Sequence, residues 1–205
     1  MTELGPIFLS ASVPVEGREG YASAEPYLIK EAVSALMEVV LGRRLLVWGG
    51  QPAITPMLWE AAKQYSVPYQ NIVQLYQSKI FSGRYPPENT AFPNFIETDA
   101  VDNHEARSLN HMRHCMLSAH EYSAAVFIGG MEGIREEYHI FRDLHPNAAV
   151  IPVPSPGGVS RELYHEQGSQ PADFEHAIDY SFWLYQLLNI DMLKERSVSF
   201  DRLIS

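Results

Sequence analysis

One recurring pattern restricts the fold of this chain more than any other feature: a short apolar run closes on glycine or serine and is followed by a stretch with helical spacing. Pro6-Ile7-Phe8-Leu9-Ser10 is the first such run, and Leu45-Leu46-Val47-Trp48, ending in Gly49-Gly50, is the second. Runs this short without polar alternation read as strands buried on both faces of a parallel sheet. Within 24–41, Leu28, Ala32, Val33, Leu36, Met37 and Val40 recur at helical spacing, with Pro26 near the start and Gly42 past the end. Proline early and glycine late is the asymmetry of a helix, so the chain opens with a βαβ unit.

The alternation continues. A helix is expected over 55–65, with Thr55 as N-cap and Pro56 in the first turn, and then a strand over Ile72-Val73-Gln74-Leu75-Tyr76. From Gln77 to Asn94 glycine, prolines and polar residues break every period, which marks a long excursion; such loops in compact domains tend to be functional. Phe95-Ile96 reads as a short extra strand. Asn103 is placed to cap a helix over 104–121 with Leu109, Met112 and Met116 on one face. Ala124-Ala125-Val126-Phe127-Ile128 forms a central strand ending in Gly129-Gly130, and a helix over 132–144 buries Ile134, Tyr138 and Phe141. Ala149-Val150-Ile151-Pro152-Val153 is the last strand, where Pro152 points to a sheet edge or a strand end, and residues 174–189 form the final helix. The expected fold is α/β and doubly wound, a mainly parallel sheet of about five or more strands with helices on both faces. It is read as one domain over 1–205, with 174–205 as a C-terminal helix and tail.

Charge and composition narrow the partners. A formal net charge of −10 repels long polyphosphates, so long nucleic acid is not expected, whereas a small phosphorylated ligand can still use a locally basic pocket. No stretch approaches the roughly eighteen apolar residues of a membrane span, and the first residues lack the order of a signal peptide, so a cytoplasmic protein is expected. Cys115 is the sole cysteine, which excludes an intrachain disulfide. His111 and His114 are three residues apart, with His104, His120 and Cys115 nearby, but no third ligand stands at a clear spacing and no metal is expected.

In open α/β sheets ligands bind beyond the carboxyl ends of the strands. The residues there are Ser10 and Ser12, Gly49 and Gly50, Gln77 and Ser78, Gly129 to Gly133, and Gly157 and Gly158. Glycine at such a turn either lets a ligand approach unpaired N–H groups at a helix start or simply permits the turn. Ser10 and Ser12 either donate to a phosphate or cap locally. Three glycine pairs at three strand ends favour a cleft, with a phosphate or ribose at Gly129-Gly130. No GxGxxG motif and no inferable Ser-His-Asp arrangement is present.

Phe127-Ile128-Gly129-Gly130-Met131-Glu132-Gly133-Ile134-Arg135-Glu136-Glu137-Tyr138 resembles the GGMEGV-type signature of a cluster in the SLOG superfamily. The likeness extends to Phe8 through Pro14, Trp48 through Pro56, Gln77-Ser78, Arg107 through Arg113, and His145 through Gly158. It implies a Rossmann-like domain binding a nucleotide or nucleotide-derived signal. Related domains serve as sensors linked to TIR and sirtuin-type effectors in prokaryotic immunity, or lie in the cytoplasmic regions of TRPM channels; a TIR protein is thus one implied partner. No cofactor is required beyond that ligand. The resemblance assigns binding to Ser10, Ser12, Gly49, Gly50, Ser78, Arg113, Gly129, Gly130, Met131, Glu132, Gly157 and Gly158.

The LOG branch of the superfamily cleaves nucleotide N-glycosidic bonds and carries PGGxGTxxE, whose closing glutamate lies in the active site. Here Ile128 replaces the proline, an extra residue precedes Gly133, and Ile134 replaces the threonine. Glu132 and Glu137 are catalytic candidates only under that hydrolase alternative. Otherwise they bind ribose hydroxyls or complement the helix dipole, the latter being the reading for Glu136. Arg107 and Arg113, six residues apart, lie on different helix faces. The apolar residues of the last helix, from Phe174 to Leu188, spread beyond one stripe, which calls for a deep core position or a self-association surface, hence a homodimer or larger assembly.

Overall fold

Strand and helix positions follow from where the apolar runs can be covered. In a computed structural model, which describes residues 5–64 and 72–196, six strands form one sheet. They are β1 (Ile7–Ser12), β2 (Leu46–Gly49), β3 (Val73–Ser78), β4 (Asn94–Thr98), β5 (Ala124–Gly129) and β6 (Ala149–Val153). All pairings are parallel, in the order β4-β3-β2-β1-β5-β6. The chain therefore winds outward from β1 to one edge, returns across the sheet, and winds outward again, as a doubly wound, Rossmann-like sheet does.

Six α-helices lie among the described residues: α1 (Pro26–Val40), α2 (Thr55–Lys63), α3 (Glu105–Leu117), α4 (Glu132–Leu144), α5 (Val159–Gln167) and α6 (Tyr180–Leu187). Alternate strand residues feed two cores. Ile7, Leu9, Leu46, Trp48, Leu75, Val126 and Ile128 join α1, α2 and α6, while Phe8, Val47, Tyr76, Ala125 and Phe127 join α3, α4 and α5. Both faces are thus buried, which is why these strands read as continuous apolar runs. Phe8 shows the second core at close range, stacking on Phe141 with ring centroids 6.0 Å apart and meeting Tyr122 edge-on.

Several boundaries differ from the sequence reading, each for a local reason. Phe95-Ile96 belongs to a full edge strand, β4, paired only to β3. Pro152 does lie on an edge strand, β6. His104 rather than Asn103 caps α3, its ring nitrogen accepting from the Arg107 N–H at 3.5 Å, while Asn103 takes a left-handed turn at φ 51°. Thr55 is the first residue of α2 and not its cap; the Gln51 side chain accepts from the N–H groups of Ala53 and Ile54 instead. Tyr65, where that helix was expected to end, lies outside the described residues, as does the tail from 197 onward.

Helix α5 was not anticipated, because it is only nine residues long and buries just Val159, Ser160, Leu163 and Tyr164. The expected helix over 174–189 is split: a 3-10 turn at Ala172–Phe174 precedes α6, whose start is fixed by Asp179 accepting from the Phe182 N–H at 3.1 Å. The 77–94 excursion contains two 3-10 segments, Lys79–Arg84 and Pro87–Ala91, while Gln77 and Ser78 complete β3. No helix among the described residues is long and apolar enough to cross a membrane.

Candidate functional site

The strand order reverses at β1: α1 leads from it to β2 on one side, and α3 brings the chain from the β4 edge back to β5 on the other. Crossovers that diverge from a strand leave a crevice at its carboxyl end. A cavity of about 400 Å³ occupies that crevice, bounded by the ends of β1, β2 and β3, the 3-10 turn after β3, and the facing sides of α3 and α4.

At its centre a carboxylate is held by two elements. Glu137 of α4 accepts from Ser10 Oγ of β1 at 2.5 Å and from Arg113 Nε of α3 at 3.3 Å. Arg113 also pairs with Glu136, and its side chain is 11% exposed against 16% for Glu137. Burial pushes the Glu137 carboxyl above its ordinary range, and Glu136 pushes the same way; the Arg113 charge and the Ser10 hydrogen bond oppose them. Gly133 leaves room for the guanidinium, since a Cβ there would fall 2.7 Å from Arg113 Nη2.

The rim carries a second ion pair. Arg18, in the loop after β1, lies against Glu132 at the start of α4 with contacts of 2.8 and 3.1 Å. That hydrogen bond, then the N–H of Glu132 itself, holds the Glu132 carboxyl down at about 2. The neighbouring Glu19 ties the same loop to Arg135, which also binds Glu162 and Glu166 of α5.

Of the residues expected from sequence, Ser10, Ser12, Gly49, Gly50, Arg113, Met131 and Glu137 line the cavity. The structure sets the others beside it. Ser78 is fully buried at the end of β3, and Glu132 reaches the rim only through Arg18. Gly129, Gly130, Gly157 and Gly158 do share one edge of the sheet with Gly49 and Gly50, but Gly20 and Ser23 of the loop over 13–25 pack on Gly130, Gly157 and Gly158, and Ile29 of α1 packs on Gly129. The N–H groups expected to be free there are bonded: Gly129 N–H donates to Ser160 Oγ at 3.0 Å, Gly130 N–H to the Ser12 carbonyl at 2.9 Å, and Gly158 N–H to Ser23 Oγ at 3.1 Å. A Cβ on Gly158 would fall 2.5 Å from the Gly129 carbonyl carbon, so the absence of a side chain there serves backbone against backbone.

Other lining residues were not singled out. Arg18 stands in a loop without periodicity, and Phe81, Arg84, Tyr85 and Pro86 come from the excursion after β3, whose length alone marked it. Leu109, Met112 and Ile134 were read as core; they supply the apolar wall. Arg107 does lie apart from Arg113, paired with Asp102. His111 contacts Cys115 Sγ at 3.6 Å, and no group of three or more His, Cys, Asp or Glu residues is arranged for a metal among the described residues.

The profile of the SLOG cluster3 family matches residues 20–188. The chain belongs to the SLOG cluster3 family. The matched span carries β2 through β6 with Arg113 and Glu137, and leaves β1, with Ser10 and Arg18, ahead of it. No curated protein and no solved structure matches this SLOG chain.

Proposed function

We propose that this SLOG domain binds a nucleotide or nucleotide-derived signal in the cavity at β1–β3, as a sensor or effector component of a prokaryotic signalling or defence system. Family membership points to a nucleotide-related function. The observation that carries the reading is the Ser10–Glu137–Arg113 constellation inside a cavity at the switch point of the sheet. The cavity volume falls within the roughly 300–1,000 Å³ of small-molecule sites. A carboxylate and a hydroxyl side by side suit ribose hydroxyls, and Arg18 at the rim beside them suits phosphate in a chain that is otherwise acidic. On this reading the protein is cytoplasmic, associates with itself, and passes its state to an effector such as a TIR protein.

The test is a thermal-shift screen of linear and cyclic nucleotides, followed by mass analysis of every hit. A sensor is stabilised by a ligand that it returns intact. Glu137→Gln then weakens the hit by about ten- to a hundredfold, the range for losing a hydrogen bond to a charged group. A screen in which nothing stabilises the protein refutes the reading.

One observation favours N-glycoside hydrolysis as a second reading. Glu137 stands where the LOG motif ends in its active-site glutamate, and its burial favours the protonated form that can act as a general acid. In that reaction water adds to the anomeric carbon and the base leaves with a proton. Free base and ribose phosphate in the mass spectrum, lost in Glu137→Gln, identify the hydrolase.

A further inference from the structure

The cavity differs in chemistry along the sheet. Its charged centre lies at β1, while its far end, two strands away at β3, holds Gln77, Phe81, Arg84 and Tyr85. Strands are spaced by about 4.8 Å, so the two ends are roughly 10 Å apart, the scale of a nucleotide from sugar to base edge.

The far end is a flat shelf on a fixed base. In a 3-10 segment residues i and i+3 eclipse, and Phe81 and Arg84 are so placed. The Arg84 guanidinium sits 4.9 Å from the Phe81 ring centroid, and its carboxylate partner Glu105 is at the long distance of 3.5 Å. Next to them the Tyr85 hydroxyl lies 3.0 Å from the Ser78 carbonyl and 3.1 Å from Glu97, with its ring edge-on to Phe95, which anchors the turn to β3 and β4. Aromatic rings and guanidinium planes are the surfaces on which nucleobases stack.

Gln77 adds a directional group. It is only 5% exposed yet lines the cavity, and its amide nitrogen donates to the Gly50 carbonyl. That bond fixes the amide orientation and leaves the amide oxygen without a protein partner among the described residues. Gly50 makes the approach possible, because a Cβ there would fall 2.3 Å from Gln77 Nε2. The residue lines the cavity, so that oxygen is open to solvent there and a ligand donor can take the place of water on it.

We propose that the β3 end of the cavity is a nucleobase subsite, in which Phe81 with Arg84 stacks the base and the Gln77 amide oxygen accepts from an exocyclic amino group. The inference rests on the nucleotide reading above and adds the orientation of the ligand and the class of base. Amino-bearing bases are preferred to their keto counterparts. The sugar then lies toward Ser10 and Glu137.

Calorimetric titration of the full chain with AMP, IMP, CMP, UMP and ribose 5-phosphate tests it. AMP and CMP bind about tenfold more tightly than IMP and UMP, the discrimination expected of one well-formed hydrogen bond. Ribose 5-phosphate binds more weakly than AMP by about tenfold or more, the value of a stacked base. Phe81→Ala removes most of the gap between AMP and ribose 5-phosphate, and Gln77→Leu removes the amino-over-keto preference. Phe81 is on the cavity rim, so its variant is informative even where Gln77→Leu fails to fold. Nucleotides that bind no better than ribose 5-phosphate, or whose binding is unchanged by Phe81→Ala, overturn the subsite and leave the nucleotide reading standing. Binding by none of the five also overturns the subsite, and the nucleotide reading then falls only if the wider screen of linear and cyclic nucleotides finds no ligand.

Discussion

Glu137 shows how one residue links the fold to its chemistry. Its carboxyl is pushed upward, first by burial and also by Glu136, against the pull of Arg113 and Ser10. The folded protein therefore prefers the protonated acid more than the unfolded chain does. The stability contributed by that preference is complete below the ordinary carboxylate pKa of about 4.3 and is lost as pH rises through the raised folded value. Glutamine keeps the neutral form at every pH. The urea midpoint of Glu137→Gln should thus gain on that of the parent as pH rises from about 4 toward neutrality, then level off. A difference that stays constant with pH would show that Arg113 and Ser10 fully compensate the burial. Glu137 was readable from the stretch that runs from Gly129 to Tyr138 and Ser10 from its strand end, but nothing in the sequence ties the two together across 127 residues.

At the scale of elements, the glycines divide into two kinds that the sequence does not separate. Gly158 takes φ 69° and ψ −166°, a region open almost only to glycine, against the Gly129 backbone. Gly158→Ala should cost upwards of about 2 kcal/mol from strain and clash together, and lower Tm by roughly 5 °C or more. Gly133 instead sits in the first turn of α4, and a methyl there meets only the far end of Arg113. Gly133→Ala should therefore leave Tm unchanged or slightly raised, as alanine favours helix, while weakening the ligand found in the nucleotide screen. Calorimetry with a parallel titration separates the two, and equal loss of stability in both variants would contradict the assignment. The alternation of strands and helices was legible because burial on both faces imposes it. The loop over 13–25, which fills the β5 and β6 ends and turns the cavity toward β1–β3, was not. Its anchoring by Ser23, Glu19 and Arg18 depends on contacts across 114 to 135 residues that leave no local period.

For the whole molecule, the question is what the surplus apolar surface of the last helix does. Tyr180, Leu184 and Leu188 turn inward to the core shared with α1, so part of the surplus is core. Ile178 and Phe182 face solvent at 74% and 51% exposure, as does Tyr27 of the adjoining α1 at 69%. An apolar contact between two such copies must form against the repulsion of two chains of net charge −10. Salt screens that repulsion, with a Debye length of about 10 Å at 0.1 M, and leaves apolar burial intact. Light scattering at tens of micromolar should accordingly show a dimer whose share grows as salt is raised from about 0.05 to 0.5 M, opposite to an assembly held by ion pairs. Phe182→Glu adds a charge to the contact from each copy and should return the protein to monomer with little change in Tm, because that side chain is already exposed. A parent protein that stays monomeric throughout would leave α6 as core alone, and a dimer unaffected by Phe182→Glu would place the interface on another face.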